Sequence, residues 1–142
     1  MFKISYHFRV DNLVTPQDVA TASTVNTNTG MYRSMAEYDL GCVVIIAHLT
    51  DTKTAIGQLT CSSAPAATGK ANVTGYTVTL TGTTAAPEQV GCIDFKAIDL
   101  YEIAPTKYYV GVDITTNQNG DDVGAVLIRG GARYYEGANM DV

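Results

Sequence analysis

Two histidines, three cysteines and fourteen carboxylates are the groups with which this 142-residue chain could do chemistry. A cysteine beside a histidine makes a thiolate nucleophile, and such pairs meet in space rather than in sequence. His7 and His48 stand about forty residues apart, neither with a Ser, Cys or Asp at a spacing that itself suggests a pair. Both read as ordinary surface or core histidines. Cys42, Cys61 and Cys92 each lie in an apolar or strand-like stretch. Odd in number and without a C-x-x-C, they read as reduced core thiols, too few and too far apart for a zinc site. Free thiols suit synthesis in a reducing cytoplasm. The carboxylates show no pairing that suggests glycoside hydrolysis. The chain reads as a non-enzyme with no catalytic residue, no metal and no cofactor.

Three loop motifs point the same way. "APAATGK", residues 64–70, resembles the end of a phosphate-binding loop. It lacks the leading glycine, and Ala71 stands where a serine or threonine would meet magnesium. "NQNGDD", residues 117–122, offers oxygens to calcium but lacks the alternating ligands and closing glutamate of a calcium loop. Asn119-Gly120 inside it is a strong hairpin signal. Asn72-Val73-Thr74 matches a glycosylation acceptor, which needs a secretory route. The N-terminus shows no secretory apolar region, because its apolar residues alternate with charged ones. Two histidines also fall short of the cluster a cupin-like metal barrel would need.

Charge narrows the partners. The net charge is −5 and the nine Lys and Arg are scattered, so no basic face exists for nucleic acid. No apolar run reaches the roughly 18 residues of a membrane-spanning helix. "ARYYEG", residues 132–137, crowds Arg133, Tyr134 and Tyr135 together. Arginine and tyrosine are enriched where proteins bind proteins, so these three are candidate partner contacts.

The elements that would carry these groups are strands. "FKISYHFRV", residues 2–10, alternates strictly, with Phe2, Ile4, Tyr6, Phe8 and Val10 on one face. That pattern predicts a strand with one buried and one wet face. Phe2, Ile4, Tyr6 and Phe8 are candidate contacts if residues 1–10 act as an N-terminal strand arm. Residues 11–30 are polar and read as a long loop with a short helical turn near Pro16–Ala20. "YDLGCVVIIAHLT", residues 38–50, is apolar on both faces and predicts a central, doubly covered strand. Residues 54–62 follow it at hairpin distance. Residues 76–82 alternate, with Tyr76, Val78 and Leu80 inward. Residues 90–98 form another strand, and 99–106 an irregular corner closed by Pro105. Residues 107–116 place Tyr108, Val110, Val112 and Ile114 on one face, and 123–130 return as their hairpin partner. Seven or eight short strands with no long helical stripe predict one all-β domain over residues 1–142, a jelly-roll-like antiparallel β-sandwich.

With its parts in this order the chain resembles the decoration (cement, or auxiliary head) proteins of tailed bacteriophages. The resemblance rests on the N-terminal strand ending "FRVDNLV", the core strand "YDLGCVVIIAHL" and the Thr-, Ala- and Gly-rich middle. Its most telling part is "KYYVGVDITTNQNGDDVGAVLIRGGARYY". It implies a jelly-roll-like protein, commonly a homotrimer. Such a protein binds the major capsid protein on the exterior of the virion, stabilises the shell and has no active site. An arm over residues 1–10 would add a strand to its own sheet or to a neighbour's. Alternatives within the same fold class are a phage tail or fibre component, a small jelly-roll capsid subunit, and a carbohydrate-binding module presenting tyrosines.

Overall fold

Alternating apolar and polar residues, punctuated by Gly- and Thr-rich turns, build a two-sheet sandwich. The computed structural model describes residues 8–19, 23–27, 30–103 and 105–132. Its strands are β1 (Phe8–Val19), β2 (Thr24–Asn26), β3 (Arg33–Ser34), β4 (Tyr38–His48), β5 (Thr54–Ser62), β6 (Ala71–Thr81), β7 (Glu88–Lys96), β8 (Tyr109–Thr116) and β9 (Asp121–Ala132). Among the described residues one helix, α1 (Ala97–Ile103), lies between β7 and β8. One sheet runs β1-β9-β4-β7 and the other β2-β8-β5-β6, with β3 also on β8. Every pairing is antiparallel. Of the long strands, only β5 and β6 pair with their neighbour in sequence, and the chain otherwise crosses between sheets. This wiring is the jelly roll that the strand count predicts.

The core lies between the sheets. Leu13, Val43, Ile45 and Leu127 from the first sheet meet Leu59, Val110, Val112 and Ile114 from the second, all fully buried. Gly41 and Gly57 face the same space. A Cβ on Gly41 would stand 2.2 Å from the Phe95 ring, and one on Gly57 2.1 Å from Ile45 Cδ1. These glycines let large neighbours fill the gap between sheets.

Several expectations need correction. Residues 11–30 are not one long loop: β1 runs on through Val19 on β9, and β2 covers 24–26. Pro16–Val19 is strand rather than a helical turn, and bulges after Asn12 and Val14 absorb the proline. Residues 51–53 do not close a hairpin. The two edges of β4 are taken by β7 and β9, and those of β5 by β6 and β8. The connection therefore arches from one sheet to the other. Asn119-Gly120 does the same between β8 and β9, with Gly120 at φ +80°. Of the pair only Gly120 adopts a positive φ, and the strands the turn joins are not paired. The corner at 99–106 begins as α1. Asp99 Oδ2 accepts the backbone N–H of Lys96 at 2.8 Å, capping the helix, while Ala97 and Leu100 are buried beneath it.

At one end of the sandwich an ionic hub ties β1 to β9. Arg129 donates from Nε and Nη2 to Asp11 Oδ2 at 3.0 and 2.5 Å, and from Nη1 to the Ser34 carbonyl at 2.6 Å. Its guanidinium stacks 4.6 Å from the centre of the Tyr38 ring. Arg9 and Arg33 approach the other oxygen of Asp11 at 3.3 and 3.5 Å.

Candidate functional site

The groups with chemical potential are held by structural partners. Of the three cysteines expected in the core only Cys61 is there. Cys42 on β4 is half-buried and Cys92 on β7 exposed, both beside Asp94, because their strand positions face away from the second sheet. Cys61 is buried in the core, and burial raises its thiol pKa. Cys42 lies on the outer side of β4. Burial first, and then the Asp94 carboxylate, push its thiol up to about 12, so it stays protonated at neutral pH. His48 Nδ1 lies 3.4 Å from Glu88 at the far end of the sheet, and His7 is outside the described residues. In the 64–70 loop Lys70 Nζ binds Asp113 and Asn26 across β8 and β2, and a strand rather than a helix follows. In the 117–122 turn Asn117 Oδ1 accepts from Thr54 N–H, and Asp121 Oδ1 accepts from the N–H and hydroxyl of Thr50. Those oxygens brace the turn. Among the described residues no three His, Cys, Asp or Glu side chains gather as a metal-binding group.

The outer faces of the two sheets differ sharply. That of the second sheet is partly covered and otherwise mostly polar, with Ile56 as its exposed large apolar residue among the described ones. Tyr32 lies over Gly111 and pairs its hydroxyl with Thr60 at 3.1 Å. Thr27 Oγ1 both donates to the carbonyl of Val112 and accepts its N–H, at 3.0 and 2.7 Å. Thr24 and Thr115 pair their hydroxyls beside the Lys70–Asp113 bridge.

Among the described residues the outer face of the β1-β9-β4-β7 sheet is uncovered, and its middle rows are apolar. Antiparallel register stacks its residues in rows across the strands. The top row is Phe8, Gly130, Leu40 and Lys96, and the next is Val10, Ile128, Cys42 and Asp94. The central row is Asn12, Val126, Val44 and Cys92. Below come Gly124, Ile46 and Val90, with Pro16 against Gly124, and then the acidic row of Asp18, Asp122, His48 and Glu88. Val10 and Val90 are 63% exposed, Ile46 54%, Leu40 52% and Phe8 46%. Two hollows dent the face. The upper one, about 520 Å³, includes Phe8, Leu40 and Ile128 in its lining, and the lower one, about 210 Å³, includes Pro16, Ile46 and Val126. This is a surface with apolar middle rows between charged end rows. It is suited to burying apolar area against another protein.

Sequence reasoning named seven candidate partner contacts, Phe2, Ile4, Tyr6, Phe8, Arg133, Tyr134 and Tyr135. Of its candidates only Phe8 falls within the described residues, at the top corner of this face. Phe2, Ile4, Tyr6, Arg133, Tyr134 and Tyr135 lie outside them. The described end of the predicted arm, residues 8–10, pairs with β9 of its own chain. Its apolar side, Phe8 and Val10, turns outward instead of into the core. Val44 and Ile46 were legible as apolar residues, but the run "VVII" predicts a covered second face, and the described residues leave that face uncovered.

No family model matches the chain, and no curated protein matches it. Solved structures share its fold at low identity. The PRD1 vertex protein P5 is 5% identical with a TM-score of 0.52 over 85% of this chain and 96% of that one. The PBSX exported protein XepA is 8% identical with a TM-score of 0.50 over 90% of this chain. The Clostridium thermocellum xylanase 10B with its CBM22-1 and GH10 modules, complexed with xylohexaose, is 15% identical with a TM-score of 0.50 over 89% of this chain. The chain spans 38% of the length of XepA and 27% of the xylanase chain. At such identities the likeness is one of fold.

Proposed function

We propose that this chain is a non-enzymatic structural protein of a virion, a decoration protein seated on the exterior of a phage capsid. The observation that carries this reading is the apolar outer face of the β1-β9-β4-β7 sheet. A surface of that width is a place for protein contact rather than chemistry. The jelly-roll wiring shared with a vertex protein supports the reading, as does the resemblance of the sequence to phage decoration proteins. The net charge of −5 suits a position away from the packaged genome. Its partners in this reading are the major capsid protein and its own copies, and it uses no cofactor.

Co-sedimentation with phage shells that lack decoration tests this. Saturable binding in a fixed ratio to the major capsid protein, with a raised shell-disruption temperature, is the expected outcome. Absence of shell binding combined with selective retention on a glycan array would replace it with the carbohydrate-binding reading. The Tyr108–Tyr109 ring pair, with centroids 4.9 Å apart, would then be the first place to look.

A further inference from the structure

We infer that the outer face of the β1-β9-β4-β7 sheet is a self-association surface. Two copies stack on it face to face about a twofold axis that runs across the strands through the row of Asn12, Val126, Val44 and Cys92. The inference rests on the assembly reading above and names the partner of that same face, a second copy of this chain.

Area is the first argument. Four strands about 4.8 Å apart and nine residues long, rising ~3.3 Å each, give a projected face of ~500 Å². That span already includes the charged end rows, and side-chain relief raises the accessible area above the projection, towards the ~800 Å² per partner of a standard stable interface. A flat face buries itself fully only against a facing copy, and such an isologous contact has twofold symmetry.

Charge and shape select the axis. A twofold axis across the strands lays the top row of one copy on the bottom row of the other, strand over like strand. Cys92 is the midpoint of β7 between Glu88 and Lys96, so Lys96 of each copy falls on Glu88 of the other. Val44 is likewise the midpoint of β4 between Leu40 and His48. Ile128 of one copy then sits over Gly124 of the other, beside Pro16, where the lower hollow opens. A twofold axis along the strands would instead lay Glu88 on Asp18, carboxylate against carboxylate. The central rows hold no charge except Asp94, which meets Val90.

The test uses the full chain. Sedimentation equilibrium should give a dimer whose dissociation constant Ile46→Glu raises at least a hundredfold, with the thermal transition of the monomer kept. Lys96→Glu and Glu88→Lys should each weaken dimerisation by roughly tenfold, because each replaces two attractions by two repulsions. Combining them should restore it to within about threefold. With facing backbones ~10 Å apart, the Cys92 thiols point at one another across the axis, so a short bis-maleimide should join them, while the Cα separation is too long for an unstrained disulfide, and Cys92→Ser should abolish the cross-link. A monomer at 100-fold dilution above and below the working concentration would overturn the inference. So would a trimer, a dimer indifferent to Ile46→Glu, or a double charge swap that fails to recover. A dimer lost on removing residues 133–142 but untouched by Ile46→Glu would assign the contact to that tail and overturn it as well. Shell binding by a strict monomer would sink this inference and leave the decoration reading standing. A face-to-face dimer that ignores shells would do the reverse.

Discussion

Arg129→Met is the most informative single change to stability. The substitution keeps the length and apolar stem of the side chain and deletes its charge. Both partners are nearly dry: the Arg129 side chain is 6% exposed and that of Asp11 8%. Loss of the guanidinium strips two hydrogen bonds from Asp11 Oδ2, one from the Ser34 carbonyl, and the stacking on Tyr38. Breaking a buried ion pair by removing one partner costs about 3–5 kcal/mol. Here Arg9 and Arg33 still reach the other oxygen of Asp11, which holds the loss near the lower end, about 3 kcal/mol. For a chain of this size that lowers Tm by roughly 10 °C. Urea unfolding followed by circular dichroism is the assay, with Cm falling and m unchanged. Asp11→Asn should cost more than Arg129→Met, because it leaves three guanidinium groups without their shared anion. A loss below about 1 kcal/mol for Arg129→Met, or the opposite order of the two variants, would refute the account of the hub as a buried, shared ion cluster.

Gly111→Ala should cost about 1–3 kcal/mol in urea unfolding, since the added Cβ would stand 2.5 Å from the Tyr32 ring and 2.9 Å from Thr27 Oγ1. Thr27→Val leaves the buried N–H of Val112 without its hydroxyl acceptor and should destabilise by about 1–3 kcal/mol. Cys42, with its thiol held up near 12 by burial and by Asp94, should alkylate with iodoacetamide at pH 8 roughly 10²-fold more slowly than a free thiol. The sign of its stability effect follows. The unfolded thiol ionises near its ordinary value of 9.0, while the folded one keeps its proton to about 12. The native state therefore binds more protons in that window, and stability falls as pH rises from 9 to 12. Cys42→Ala should flatten that part of the Tm-against-pH curve.

Local patterning reached some elements and not others. The alternation at Tyr76, Val78 and Leu80 and that at Val110, Val112 and Ile114 located β6 and β8 and told which side faces inward. Residues 11–19 hid β1, because Asn12, Pro16 and Asp18 are poor strand formers. They are held in place by backbone pairing with β9 around two bulges. The ionic hub was equally hidden, since Asp11 and Arg129 are 118 residues apart and only the β1–β9 register brings them together.

By itself the sequence determined that this protein is built of strands, which side of most strands is apolar, and where glycine-bearing turns interrupt them. Those are local properties, set by period-two geometry and by the φ angles a residue tolerates. The tertiary structure alone decided which sheet each strand joins, since backbone hydrogen bonds are blind to side-chain identity. It alone turned two predicted hairpins into arches between sheets, because each strand has only two edges and distant strands had taken them. It also decided the fate of the outer side of β4. An apolar face is written in the residues, but whether anything covers it depends on what the rest of the chain lays there, and the described residues leave Leu40, Ile46 and Val90 facing outward.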